Sequence, residues 1–467
     1  MVIAENQTMG CSQRDSVERQ GYARVRSIDA REGMETDGVG GLLGSVLCRD
    51  NLNRAYKRVK SNKGAAGVDG MTIEQALPWF KEHKEELLQS LGEGTYKPLP
   101  VRRKEIAKPD GSGVRKLGIP TVVDRMLQQA IAQVIGPRFD AQFSETSYAY
   151  RPHRRASWAM NKIVSYANQG YTQVVQLDLS KYFDTLNHDL LLNLVRKRVK
   201  DERVIKLVKK YLKSGVMENG IVTATEEGSP QGGLLSPLLA NIYLDVFDKE
   251  MESRGVRFVR YADDIVVFAK SKRAAMRLLE SCKSYLEKKL LLKVNTDKSY
   301  TTTVYSKKFK FLSFTLGKNG DGIHVRVHSK ALRKCKQKLK VLTRRNRGRN
   351  VRDIMEQVKV YMRGWLGYFY IAKMKRLLMQ VEEWLRRRLR MYIWKQWKKP
   401  RTKVKALCRL GIPPDKAYEW GNTRLEYWRI AHSPILQRSI TNERLVSAGY
   451  YDISAQYERL RKLHLCD

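Results

Sequence analysis

The chain has 467 residues, 42% of them hydrophobic, and a formal net charge of +41. Its length and apolar content exclude a disordered chain and call for two or three domains with sizeable cores. A charge so far from zero requires a polyanionic partner, nucleic acid first and an anionic membrane surface second.

No apolar run reaches the roughly 18 residues of a membrane span, and no charged-then-apolar leader opens the chain. The six cysteines (Cys11, Cys48, Cys282, Cys335, Cys408, Cys466) form no Cys-x-x-Cys pair, which argues against a zinc site or a disulfide framework and for a reducing cytoplasm. Residues 1–45 are rich in Gly, Ser and charge and read as a loose leader. Residues 46–90 read as helical, interrupted by the Gly-rich basic loop Asn62–Gly70, whose Lys63 is a candidate phosphate contact. In the next stretch, Val101–Pro120, Pro-Asp-Gly-Ser-Gly is turn chemistry between two strands. Lys108 and Arg115 flank that turn, a basic ribbon suited to clamp a triphosphate. Thr121–Gln142 carries helical spacing at Val123, Leu127, Ile131 and Val134 or Ile135. Ser147–Arg155 then interleaves aromatics with Arg151 and Arg154, a pattern suited to stacking on bases and gripping phosphates.

Two segments carry the chemistry. Gln173–Ser180 is a short β-branched run with Asp178 near its end. Phe258–Ala269 reads as strand, tight turn, strand with Asp263 and Asp264 at the tip. Two acids at the bend of a buried hairpin are costly without a cation. Two strands that deliver carboxylates to one point suit a pair of Mg²⁺ ions, which stabilise the attacking and the leaving oxygen in phosphoryl transfer. Asp178, Asp263 and Asp264 are the expected carboxylates of the metal site, and Leu179, next to Asp178, is counted with them in the metal set. Phe183, five residues past Asp178, is placed to collide with a ribose 2′-hydroxyl, or else is a core aromatic. Gly228–Pro237 joins two consecutive glycines, Gln231 with its reach to a sugar or base edge, and Ser236-Pro237 as a helix N-cap and first residue. The helix from Leu238 to about Ser253 stops at Gly255. Phe311–Gly317 reads as a further strand, with Lys298 before it in the nucleotide-binding set.

From Ser329 the period turns helical, with stripes at Leu332, Cys335, Leu339 and Leu342, at Ile354, Val358, Tyr361 and Trp365, and at Leu378, Val381, Leu385, Leu389 and Tyr392 until Pro400. Residues 326–410 hold 28 Lys/Arg against 4 Asp/Glu, which places the main polyanion contact here. Arg344, Arg345, Arg347, Arg363, Arg386, Arg387 and Lys395 are its candidate contacts, while Trp384, Trp394 and Trp397 are expected in the core. Residues 401–467 read as a small, weakly patterned final domain.

Tyr261-Ala262-Asp263-Asp264, Asp178 with Phe183 and Asp184, Ser229–Gly233 with Ser236-Pro237, and the Lys-Pro-Asp-Gly ribbon together resemble group II intron reverse transcriptases, which also act as splicing maturases. Gly364-Trp365 and Tyr392–Trp397 are similar to the maturase domain of the compact bacterial class C members. The resemblance implies an α+β right-hand polymerase, with fingers and palm over 46–322, a helical thumb over 323–400 and a DNA-binding domain over 401–467. It implies two Mg²⁺ ions at the three aspartates, deoxynucleoside triphosphates held by Lys108, Arg115 and Gln231, and Phe183 as steric gate. The implied partners are the intron RNA, a DNA target and a primer, in a cytoplasmic bacterial ribonucleoprotein, with no membrane and with an oligomer left open. Ala107 stands where the family often has Pro, Ser112 lengthens the ribbon turn, Ala149-Tyr150 replaces a common Gly-Phe, and Ser313 replaces a usual Gly. The chain ends without the Cys-pair His-Asn-His endonuclease of many members, so cleavage of the second DNA strand is not expected of it.

Overall fold

The computed structural model describes residues 40–107, 113–218, 220–229, 232–320 and 322–463. It divides into two compact units, Met1–Ser306 and Lys307–Asp467. Lys108 and Gln231, both expected to bind nucleotide, lie outside the described residues, as do residues 1–39 of the expected leader.

In the first unit, helices Gly41–Leu47, Arg49–Ser61 and Ile73–Gly92 precede a ribbon of β1 (Val101–Ala107) and β2 (Val114–Ile119). Helices Val122–Asp140 and Ala156–Asn168 lead to β3 (Gln173–Leu177), a 3-10 turn at Tyr182–Asp184, and helices His188–Arg196 and Glu202–Leu212. Short strands β4 (Val216–Glu218) and β5 (Ile221–Thr223), helix Ser236–Ser253, β6 (Arg257–Tyr261), β7 (Asp264–Ala269), helix Lys272–Lys288 and β8 (Tyr300–Thr303) follow. The strands form two sheets. One has the order β6-β7-β3-β8 with every pairing antiparallel. The other has the order β2-β1-β4-β5, with β1 and β4 parallel.

Burial explains the strand composition. Ile265 to Ala269 are all buried, so β7 reads as an unbroken apolar run rather than an alternation. Helix Val122–Asp140 buries nearly every face, including Asp124, Gln128 and Gln129, which is more than the single stripe visible in its spacing. Thr121 caps it, accepting from the Asp124 amide at 3.1 Å.

The second unit opens with the antiparallel pair β9 (Phe314–Asn319) and β10 (Gly322–Val327). Helices Ser329–Leu342, Val351–Phe369 and Lys375–Gln396 come next, with Cys335, Leu339, Ile354, Val358, Leu385 and Leu389 buried among them. Residues 401–467 are more regular than their pattern suggested: six short helices run from Pro400 to Leu463 among the described residues. Pro400 begins a helix there, as an N1 proline can. The expected strand at Phe311–Gly317 starts only at Phe314. Before it, Phe311 and Phe314 bridge a tight turn in which Leu312 and Ser313 adopt left-handed backbone, φ 49° and 67°. That conformation is cheapest for glycine, which gives a physical reason for the Gly that Ser313 replaces.

Candidate active site

The β6–β7 hairpin pairs Tyr261 with Asp264 and leaves Ala262 and Asp263 as a two-residue turn. Beside it, β3 pairs Leu177 with Ile265. One step further in that register brings the Asp178 backbone opposite Asp264, so the three aspartates lie at the same end of one sheet. All three are partly exposed.

Asp178 is held from behind by its backbone. Its amide donates to Ser299 Oγ at 3.0 Å and its carbonyl accepts from the Asn295 amide at 2.8 Å. The Ser180 amide donates to the Lys293 carbonyl at 2.8 Å, so Leu179 sits in a bridge to Val294 with its own N–H and C=O directed to the opposite side. Burial pushes the Asp178 carboxyl above the usual carboxylate range, Lys298 pulls it down, and the Asp263 charge pushes it up again. Lys298 Nζ lies 3.7 Å from Asp178 Oδ2. Among the described residues no three His, Cys, Asp or Glu side chains are already gathered as a metal cluster. The donor set nevertheless fits a hard divalent cation: oxygen donors only, half-exposed, mutually repelling, with an ammonium group drawn to one of them.

The acidic turn rests on a network absent from the motif reading. Arg260 and Asp248 are both fully buried. Arg260 Nε lies 2.8 Å from each Asp248 oxygen, and its Nη1 donates to Asn241 Oδ1 at 2.9 Å and to the Ala262 carbonyl at 3.3 Å. Asn241 in turn donates to the Ala149 carbonyl at 2.8 Å. The signal for it was an acid, Asp248, on the apolar face of a helix that also presents Leu244 and Met251.

The Gly-Ser loop is pinned to the turn that carries Phe183. The Gly228 amide donates to the Leu186 carbonyl at 2.8 Å and the Ser229 amide to the Phe183 carbonyl at 2.6 Å. Gly228 has φ +86°, and a Cβ there would lie 2.7 Å from the Asp184 carbonyl carbon. Gly232 approaches β2 so closely that a Cβ would collide with the Gly118 carbonyl oxygen. Phe183 is half-buried, packed on the main core and edge-on to Tyr182 at 5.4 Å. Ser236 is not the N-cap expected of it. It lies inside the helix, and its hydroxyl accepts from Ser229 Oγ at 2.7 Å.

Arg115 pairs with Ile106 and is exposed. The opposite face of the same ribbon, with Arg103 and Lys116, walls a cavity of about 720 Å³ that Lys181, Asp184, Ser229 and Lys293 also line. The three aspartates and Arg115 do not line it. Arg103, Lys116 and Lys181 are basic residues that motif reading passed over.

Other expected contacts divide by burial. Arg151 does not reach the surface, contrary to expectation: it donates to Asp140 Oδ1 at 2.6 Å and to the Ser144, Ser147 and Asp140 carbonyls. A guanidinium so fully engaged ties the loop to the preceding helix. Arg154 binds Glu145 at 2.6 Å over the Tyr148 ring. Lys63 is exposed in left-handed backbone, φ 46°. In the second unit Arg344 and Arg363 are exposed, Arg347 bonds Gln357 at 3.1 Å, and Arg386 lies 3.7 Å from Glu382. Arg387 packs on Trp428 at 3.9 Å, while Arg345 and Lys395 share Tyr427 at 4.9 and 5.1 Å.

Residues 106–316 match the family of reverse transcriptases (RNA-dependent DNA polymerases), and residues 332–411 match the group II intron maturase-specific domain. Protein YkfC of Escherichia coli K12 is 34% identical over 53% of this chain and 75% of its own length. The chain belongs to the group II intron-encoded reverse transcriptases and maturases. The group II intron-encoded protein LtrA of Lactococcus lactis is 37% identical over 44% of this chain, an overlap that spans about a third (34%) of LtrA. A putative COX1/OXI3 intron 1 protein of Saccharomyces cerevisiae is 31% identical over 44% of this chain and 24% of its own length. This intron reverse transcriptase is therefore an RNA-directed DNA polymerase of α+β right-hand architecture with a maturase domain, and its family uses divalent metal. No helix among its described residues is long and apolar enough to cross a membrane.

Proposed function

We propose that the chain copies its intron RNA into DNA by nucleotidyl transfer at Asp178, Asp263 and Asp264, and that its basic second unit holds that RNA during splicing. The primer 3′-hydroxyl attacks the α-phosphorus of a deoxynucleoside triphosphate. A new P–O bond forms, the α–β bridge breaks, pyrophosphate leaves and the hydroxyl proton passes to solvent. Asp178, Leu179, Asp263 and Asp264 would hold two Mg²⁺ ions, which supply charge stabilisation to the attacking and leaving oxygens.

The chain's own residues do the rest. The Arg260 network fixes the turn that presents Asp263 and Asp264. Lys298, tethered by Asp178, Arg115 on the ribbon, and Lys108 bring positive charge to the triphosphate. Gln231 meets the sugar or the template pair. Phe183, its backbone fixed by Ser229, excludes a ribose 2′-hydroxyl. Fingers and palm over 46–322, thumb over 323–400 and a DNA-binding domain over 401–467 complete the proposal, with the DNA target and primer as further partners in a cytoplasmic ribonucleoprotein.

The register that brings the Asp178 backbone opposite Asp264, with Asp263 acting on the Asp178 charge, carries this reading. Asp263→Ala should abolish primer extension on an RNA template while leaving intron RNA bound. Unchanged synthesis would reject the site. A wild-type chain that binds intron RNA without any synthesis would favour a splicing cofactor instead.

A further inference from the structure

The second unit holds an apolar groove of about 300 Å³ between helices Ser329–Leu342 and Lys375–Gln396. Leu332 and Trp384 lie in it, with Arg333, Lys336 and Lys340 alongside. The three cations follow i, i+3, i+7 spacing and share one helix face. The two helices meet here: Arg388 Nη2 donates to the Lys340 carbonyl at 3.1 Å, and the Tyr392 hydroxyl, one turn later, donates to the Arg349 carbonyl at 2.6 Å, in the segment that follows the first helix.

The Arg388 guanidinium lies 5.3 Å from the Trp384 ring. It is buried, and the partners that fix it are neutral: Thr343 Oγ1 at 2.5 Å and the carbonyls of Lys340 and Thr343. A buried cation held by dipoles, beside three more cations, leaves the groove strongly positive. Eleven residues past Trp384, three helical turns and about 16 Å along the same face, comes Lys395. There Tyr427 meets both Lys395 and Arg345, at 5.1 and 4.9 Å. One basic track thus carries two aromatic stations.

We infer that the Trp384 groove seats an unpaired RNA nucleotide, its base stacked on the indole and its flanking phosphates on Lys336 and Lys340, with the strand continuing toward Tyr427. This rests on the reading of the second unit as RNA-binding. The cavity is the size of one nucleoside, and an aromatic wall with a cationic border matches a base joined to phosphates. An acidic peptide would match the border and leave the indole without a partner. A base-paired stem cannot place a base on the ring without unstacking it.

The test uses the full chain at fixed salt with two probes, a 12-nucleotide oligouridylate carrying one 5-iodouridine and a 12-base-pair RNA duplex. Trp384→Ala should weaken single-strand binding about ten-fold while Trp384→Phe keeps most of it. Duplex affinity should not change in either variant, and the iodouridine crosslink should map to Trp384. Lys336→Gln with Lys340→Gln should flatten the salt slope by about 1.4, whereas Trp384→Ala should lower affinity at an unchanged slope. Equal losses for duplex and single strand, a crosslink elsewhere, or competition by oligoglutamate as strong as by oligouridylate would overturn the inference. Primer extension by the wild-type chain tests the polymerase assignment separately, and a wild-type chain that binds neither RNA would remove the RNA-binding premise together with the groove.

Discussion

Arg260 is the residue whose removal best separates stability from positioning. Arg260→Met leaves Asp248 fully buried and without its guanidinium partner, so its carboxylate must either take up a proton or remain an uncompensated charge. Breaking a buried pair from one side costs about 3–5 kcal/mol, so the transition of the first unit should fall by roughly 10 °C. Arg260→Met with Asp248→Leu removes both charges at similar volume and should recover most of that loss. What the double variant cannot recover is the donation to the Ala262 carbonyl, 3.3 Å away, at the turn that carries Asp263. A charged hydrogen bond of that kind contributes about 1.5 kcal/mol or more, so kcat for primer extension should stay about ten-fold down or lower after stability is restored. Calorimetry and single-turnover extension on the same samples check both halves. A double variant with wild-type stability and wild-type kcat would refute the positioning role.

Burial, with Asp248 adding to it, pushes the Asp245 carboxyl up to about 6. The folded state therefore keeps this proton longer than the unfolded chain, and stability should fall as pH rises from about 4 to about 6 and then level off. Asp245→Asn should raise the melting temperature at pH 7.5, by no more than about 3 kcal/mol of stability, and gain little at pH 4; an equal gain at both pH values would exclude this cause. Gly228→Ala forces a Cβ against the Asp184 backbone at left-handed φ. It should cost over about 2 kcal/mol and raise KM for the triphosphate, checked by denaturant melts and steady-state extension. Phe183→Ala should raise ribonucleotide incorporation at least about ten-fold relative to deoxynucleotide, and unchanged discrimination in a competition assay would remove Phe183 as the gate.

Much of this site was legible in the chain because its signals are local. A β-branched run ending in an acid, a two-residue acidic bend and a Gly-Ser-Pro-Gln-Gly-Gly loop each announce themselves within about ten residues. What stayed hidden depends on which side chains the fold closes around one another. Arg151 sits in an Arg-rich, aromatic stretch that looks like a nucleic-acid surface, yet Asp140 and three carbonyls claim it. Arg260 looks like one more cation of a basic chain until Asp248 and Asn241 close around it. Ser236-Pro237 has the composition of a helix cap, but the Ser229 hydroxyl seven residues earlier takes the serine. The apolar stripes of the second unit were readable from period alone, while the partners of Trp384 depended on which helix ran beside which.

The two turns proposed to carry the chemistry share a construction. Ala262 precedes Asp263 at φ 57°, and Lys181 stands two residues before Phe183 at φ 47°. Non-glycine residues in left-handed backbone cost about 1–2 kcal/mol each and persist only where surrounding contacts determine the shape. Each turn has its own buried lock: Arg260, Asp248 and Asn241 for the first, and Tyr182, whose hydroxyl donates to the Ala240 carbonyl at 2.6 Å, with the Gly228 and Ser229 amides for the second. Both locks converge on one helix, Ser236–Ser253, which supplies Ala240, Asn241 and Asp248. In the proposed roles of Asp263 and Phe183, a metal-binding carboxylate and a gate on separate, independently strained turns would be free to drift apart by an ångström, enough to matter for in-line transfer. Fastening both to a single buried helix holds their separation without requiring either turn to be of low intrinsic energy.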